Sequence, residues 1–240
     1  MGDSGKGPAR HCITQRGTES TYGFLPASHN DSGYDSIQVG FGALIPRWEA
    51  STALKWFLKA EGFPSADEAK LAAEIMNQAA QEWNDLSFGV SVSQTTDETA
   101  ANFNLIYEDN PPNEPGALAS AFFPLQAGGD VVIYETGMKN SREYPLKSTL
   151  LHELGHVFGL RHEFADKYPN GQIRFMEINK DSVMSYNGVV IIEETDKHGI
   201  RAFYELAVSR ARARPRSPAL PEQLPRSGSA GSTILPWHTA

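Results

Sequence analysis

The segment His152-Glu153-Leu154-Gly155-His156-Val157-Phe158-Gly159-Leu160-Arg161-His162 carries three of the chain's seven histidines, and its spacing decides how the rest is read. Pro145 ahead of it, with Leu150, Leu151, Leu154 and Phe158 at helical spacing, predicts a helix that stops at Gly159. On that helix His152 and His156 stack on one face about 6 Å apart, a span that a single Zn²⁺ bridges. A helix continued to His162 would carry this residue about 15 Å along the axis, out of reach of a metal bond of about 2 Å. The helix must therefore break. Gly159 can take the positive φ that ends a helix and swings the chain back, so that His162 completes the ligand set. Glu153 neighbours the first ligand and can lean over the metal without binding it, which makes it the candidate general base. Three neutral imidazoles leave the cation its full charge and an open fourth position. Water there gives up a proton more readily, and Glu153 can accept it. A bare His-Glu-x-x-His is a weak signal, but the added glycine and third histidine at fixed spacing make it specific.

Outward from this segment the chain alternates helix and strand. Ser65 and Glu68 form a capping box behind Pro64, and Ala72, Ile75, Met76, Ala79 and Trp83 recur at helical spacing. Leu86, Phe88, Val90 and Val92 alternate, as do Phe103, Leu105 and Tyr107, while Val131 to Tyr134 is a short apolar run. Three strands are therefore expected after the helix, giving an α/β character. A third helix is expected from about Thr195 to Ser209. Residues 1–46 read as a leader or pro-segment-like extension, 47–208 as the globular domain, and 209–240 as an Arg/Pro/Ser-rich tail expected to be disordered.

The histidine segment resembles the signature of the metzincin clan of zinc endopeptidases, which a Met-turn follows. Ser182-Val183-Met184-Ser185-Tyr186, with Met184 22 residues beyond His162, is similar to that turn. The resemblance implies an α+β zincin with a twisted mixed sheet, an active-site helix, the Met-turn and a C-terminal helix. It implies that Met184 forms an apolar floor beneath the imidazoles and that Tyr186 is an extra zinc ligand or an oxyanion stabiliser. Glu163, directly after the third histidine, looks astacin-like. Gly116-Ala117-Leu118-Ala119-Ser120-Ala121-Phe122-Phe123-Pro124 resembles the matrixin segment at the substrate-binding edge, which puts Leu118, Ala119, Ser120 and Ala121 where an extended substrate would add as an antiparallel strand. Ser120 stands where matrixins carry a histidine ligand of a structural zinc. One catalytic zinc and no structural zinc of that type are therefore expected. Asp196-Lys197-His198-Gly199-Ile200-Arg201-Ala202-Phe203-Tyr204 is similar to the closing helix of matrixin catalytic domains.

Cys12 is the single cysteine, so no intramolecular disulfide can form. Arg10-His11-Cys12-Ile13-Thr14-Gln15 keeps the arginine of the matrixin cysteine switch but lacks the Gly-Val-Pro-Asp that follows it there. The expectation is an inert thiol, with a zinc-blocking thiolate as the alternative. The acidic stretch from Glu108 to Glu114 has the oxygen chemistry for Ca²⁺, yet a solvated loop is the expected reading.

Net charge is −8 although residues 209–240 hold five arginines against one glutamate, so the body is more acidic still. That balance argues against nucleic acid as a partner. No run of apolar residues is long enough for a membrane span. A protein or peptide substrate and a monomeric state are expected. The N-terminus has no apolar stretch of the kind a secretory signal needs. The chain is therefore expected to be cytoplasmic or non-classically exported, or extracellular if a leader was removed. Two other functions compete with an endopeptidase. One is a catalytically inert zinc-containing peptide-binding module, which has no need of a base at Glu153. The other is an interaction protein acting through its basic tail.

Overall fold

The computed structural model describes residues 12–14, 38–39, 44–124, 129–139, 145–163, 173–174, 179–185, 190–205 and 232–236. At its centre is a five-stranded sheet of order β4-β3-β5-β7-β6. Its strands are β3 (Thr52–Leu58), β4 (Val90–Gln94), β5 (Phe103–Glu108), β6 (Ala119–Ser120) and β7 (Val131–Tyr134). β3, β4, β5 and β7 run parallel, and β6 pairs antiparallel with β7 at the edge.

Parallel neighbours need crossovers, and helix α1 (Ala66–Asn84) makes the one from β3 to β4. Ser65 caps it as the sequence predicts, its hydroxyl accepting from the Glu68 amide at 3.2 Å. Helix α3 (Leu146–Val157), the histidine-bearing helix, begins after Pro145 and lies against α1. The Trp83 indole N–H donates to the Leu151 carbonyl at 3.0 Å, and both residues are fully buried. The core fills the space between these two helices and the sheet, with Leu54, Trp56, Met76, Leu105, Ile133 and Leu154 completely covered. The short helix α2 (Glu135–Lys139) follows β7, and α4 (Glu194–Glu205) closes the domain.

Two smaller pairings lie outside the main sheet. β1 (Gln38–Val39) pairs antiparallel with β8 (Ile173–Arg174), and β2 (Leu44–Trp48) pairs antiparallel with β9 (Ser232–Pro236). Part of the tail expected to be disordered is therefore a strand, because β2 offers an edge that its backbone can join. Among the described residues no helix is long and apolar enough to cross a membrane.

Two other details differ from the sequence expectation. The alternation beginning at Leu86 predicts a strand there, but the strand starts at Val90. Ser87 (φ 53°) and Gly89 (φ 98°) turn the chain in the left-handed region, and Leu86 and Phe88 are buried from that turn. β3 went unread, although Leu54 and Trp56 on one face are its buried positions. At β4, the outer edge of the sheet, the Asn84 amide donates to the Val92 carbonyl and its oxygen accepts from the Val92 N–H, both at 2.9 Å.

Candidate metal centre and active-site cleft

Helix α3 ends by a mechanism that its glycine dictates. Gly159 has φ 98°, the Leu160 N–H bonds back to the Gly155 carbonyl at 2.9 Å, and the Gly159 N–H bonds to His156 at 2.8 Å. These are the paired 6→1 and 5→2 bonds of a Schellman stop. The turn aims the Leu160 carbonyl back at the helix, where it accepts from His156 Nδ1 at 2.7 Å. It also sends Arg161, His162 and Glu163 across the face that carries the other two histidines. One glycine thus breaks the helix, orients the second histidine and delivers the third.

The three Nε2 atoms converge: His162 lies 3.0 Å from His156 and 3.1 Å from His152. His152 Nδ1 faces the Val183 carbonyl at 2.8 Å, so both helical imidazoles carry their proton on Nδ1 and turn a lone pair inward on Nε2. Two lone pairs therefore meet the Nε2 of His162, which has at most one proton to give. A divalent cation satisfies all three, and tetrahedral zinc spaces its nitrogen ligands by about 3.3 Å. Burial keeps the rings in the neutral form that ligation requires. It pulls His152 down to about 4 and His156 well below the ordinary histidine value, with His152 adding to the effect at His156. The residues present fit zinc.

Cys12 is the fourth member of this cluster, its sulfur and the three histidine nitrogens all lying within 4.8 Å of one another. The flanking sequence favours an inert thiol, and the structure buries Cys12 among the three histidines. In place of the missing Gly-Val-Pro-Asp, Ile13 and Thr14 dock the segment. The Ile13 N–H donates to the Ala119 carbonyl at 3.4 Å, and the Ala121 N–H donates to the Thr14 hydroxyl at 2.7 Å. Burial, then the adjacent Glu153 charge, pushes the Cys12 thiol well above its ordinary value. A cation in the cluster would reverse that preference, because a coordinating thiol is deprotonated.

Glu153 is fully buried beside the cluster. Its Oε2 accepts from the Thr14 hydroxyl at 2.9 Å and from the Cys12 thiol at 3.4 Å, while Oε1 has no hydrogen-bond partner among the described residues. Burial raises its carboxyl to about 7 against the downward pull of those two bonds. A carboxylate poised near neutrality is suited to taking and returning a proton.

Met184 approaches α3 at Gly155, where an added Cβ would stand 2.3 Å from the Met184 sulfur. The turn bearing Met184 is fixed from α4. Asp196 accepts from the Ser182 hydroxyl at 2.6 Å and from the Val183 and Glu193 amides, each at 2.9 Å. Asp196 stands at the third helical position and reaches back to the amide before the helix, the carboxylate half of a capping box. The sequence motif contained Asp196 but offered no signal of this contact, which depends on where the turn lies in space. Glu163 donates its amide to the Met184 carbonyl at 3.1 Å, tying the third ligand's neighbour to the same turn.

Leu118, Ala119, Ser120 and Ala121 are at the sheet edge formed by β6, and residues 12–14 lie along it. Ser120 bonds the Tyr134 hydroxyl at 3.1 Å. Tyr186 lies outside the described residues, so the structure gives its side chain no position. In the acidic loop the Asn110 side chain organises the turn, donating to the Ala117 carbonyl at 2.7 Å and accepting from the Thr136 amide at 2.9 Å. Among the described residues the Cys12 and histidine cluster is the one grouping with convergent metal-ligand atoms.

A broken helix that brings three imidazoles together and bonds one of them to a methionine-bearing turn, beside a mixed sheet with an antiparallel edge strand, is the architecture of metzincin-type metalloproteases. Comparison with protein families matches residues 47–205 to the matrixins, and the chain belongs to that family. Among curated proteins none matches. Among solved structures the chain is similar to metalloproteinase-II from Bacteroides fragilis, at 11% identity and a TM-score of 0.35, over 80% of this chain. It spans 60% of that chain's length.

Proposed function

We propose that this chain is a zinc-dependent endopeptidase held latent by its own leader. His152, His156 and His162 would hold the metal, and Glu153 would act as general base toward water and then as acid toward the leaving amine. When bound, zinc supplies Lewis acidity to the scissile carbonyl and lowers the pKa of water toward 7. The observation that carries the proposal is the Glu153 carboxylate. It is buried, raised to about 7, and set against the three converging imidazoles with one oxygen unbonded among the described residues. An inert zinc-binding module has no use for such a group.

The chain's own residues supply the remaining roles. The edge of β6 would take an extended peptide as an added strand, holding it by backbone bonds rather than by side-chain identity. Phe123 packs edge-on against His156 at 5.3 Å between ring centroids and helps exclude water from that side. Tyr186, by its resemblance to the Met-turn tyrosine of related proteases, would donate to the developing oxyanion. In the latent form Cys12 would take the fourth ligand position and the segment 12–14 would lie in the place of substrate.

A peptide library incubated with zinc-loaded protein tests this reading, before and after limited proteolysis of the leader, with and without chelator. Cleavage is expected after leader removal, abolished by chelator and by Glu153→Gln. Undiminished cleavage by the Glu153→Gln variant, or in the presence of chelator, would refute it.

A further inference from the structure

Every hydrogen-bond partner of the Glu153 carboxylate among the described residues comes from the leader, across 139 and 141 residues of sequence. The described residues of the domain itself supply none. A glutamate serving only to stabilise its own domain would find its partners there, because a buried carboxylate left unsatisfied is costly. The Thr14 hydroxyl uses its bonding capacity at a single junction. Its one proton goes to Glu153 Oε2 at 2.9 Å, a lone pair receives the Ala121 N–H at 2.7 Å, and the Cys12 sulfur lies 3.0 Å from the same oxygen. Thr14 is buried, and its own N–H points at the Cys12 sulfur at 3.3 Å.

We propose that Thr14 is a second latch, separate from Cys12, which ties the general base to the substrate edge and keeps the cleft shut when the thiol is removed from the metal. The inference rests on the peptidase reading for its consequence, though not for its geometry. Cys12 addresses the metal position. Thr14 addresses the proton acceptor and, through Ala121, the strand edge that substrate must pair with. Neither of the Thr14 contacts needs a metal, so the latch holds in the zinc-free chain as well. A hydroxyl-to-carboxylate bond belongs to the stronger, charge-assisted class, and Ile13 adds its amide bond to Ala119 beside it. Opening the protein therefore requires releasing both residues.

The test uses the full chain and four variants, Cys12→Ala, Thr14→Val, Thr14→Ser and the double Cys12→Ala/Thr14→Val. Valine keeps the shape of threonine and removes the hydroxyl. In zinc-stripped protein, hydrogen exchange at the Ala121 amide should quicken roughly tenfold or more in Thr14→Val, stay slow in Cys12→Ala and be restored in Thr14→Ser. In zinc-loaded protein, adding Thr14→Val to Cys12→Ala should raise turnover of a quenched peptide by a further tenfold or so. Unchanged Ala121 exchange in Thr14→Val overturns the latch, as does a double variant no faster than Cys12→Ala while both cleave. If the double variant binds zinc and cleaves nothing, the peptidase reading fails instead, and the exchange measurement still decides the latch.

Discussion

His152 Nδ1 lies 2.8 Å from the carbonyl oxygen of Val183, 31 residues downstream, so the first imidazole on α3 is oriented by the backbone of the turn that carries Met184. The same residue's amide is held by Asp196 at the start of α4. Ligand, turn and closing helix are one connected unit.

Asp196→Asn should therefore weaken the metal centre without touching it. The amide nitrogen cannot accept, so it forfeits the Ser182 bond in the Oδ1 place or both the Val183 and Glu193 bonds in the Oδ2 place. Zinc affinity is expected to fall by about 10–100-fold, with about 1–3 kcal/mol of stability lost. Competition with a chromophoric chelator and a thermal melt measure the two. Unaltered zinc affinity would show that the Val183 carbonyl keeps its place without Asp196.

Gly159→Ala strains the helix stop in two ways. An L-residue in the left-handed region costs about 1–2 kcal/mol, and the new Cβ would sit 2.7 Å from the Pro46 carbonyl oxygen. A total loss of about 2 kcal/mol or more is expected, together with weaker zinc binding because the stop delivers His162. Denaturant unfolding and zinc titration of the same preparation check both effects.

The pH dependence of the zinc-free chain isolates Glu153. Its carboxyl is raised from 4.5 to about 7 by burial. Between those values the folded state binds the proton more tightly than the unfolded state, so this group makes stability fall as pH rises. His152, lowered to about 4, acts in the opposite sense, adding stability as pH rises toward 6.5. The comparison of wild type with Glu153→Gln cancels the histidines. The variant should gain relative stability on the order of 3 kcal/mol from pH 4.5 to 7. A gap that does not widen with pH would mean that Glu153 is not desolvated.

Removing residues 232–240 should cost stability and spare the metal centre. β9 pairs with all five residues of β2, and β2 bears on α3 and α4 through Trp48 and Arg47. The Trp48 indole N–H donates to the Val157 carbonyl at 2.7 Å, and Arg47 donates to the Phe203 carbonyl at 2.6 Å. Those contacts survive the truncation, so a loss on the order of 1–2 kcal/mol, roughly 2–8 °C in Tm, is expected with zinc content unchanged. Loss of bound zinc would place β9 closer to the site than its pairing implies.

The histidine spacing and the glycine made the convergence of the three imidazoles legible, because helix geometry and a helix stop are features that sequence expresses directly. The capping box at Ser65 and the proline before α3 likewise marked their helices, since such signals act within a few residues. What escaped was set by tertiary contact. Leu54 and Trp56 are buried on either side of exposed Lys55, but the partly buried Phe57 and Leu58 continue the apolar run and blur that alternation. Asp196 matters through a turn fourteen residues away in sequence. Thr14 gains its role only when the leader crosses to Glu153. The expectation for the thiol rests on its flanking residues, whereas its docking comes from the Ile13 amide bond to Ala119 and the Ala121 amide bond to the Thr14 hydroxyl, contacts with a strand edge far away in sequence.

Asn84 closes the far border of the sheet with a side-chain amide that imitates the peptide group of a missing neighbour. For a molecule that would grip extended polypeptide along one margin, this confines strand addition to the opposite margin. The blocked border discourages self-association, cargo in the wrong place and the stacking that leads to fibres.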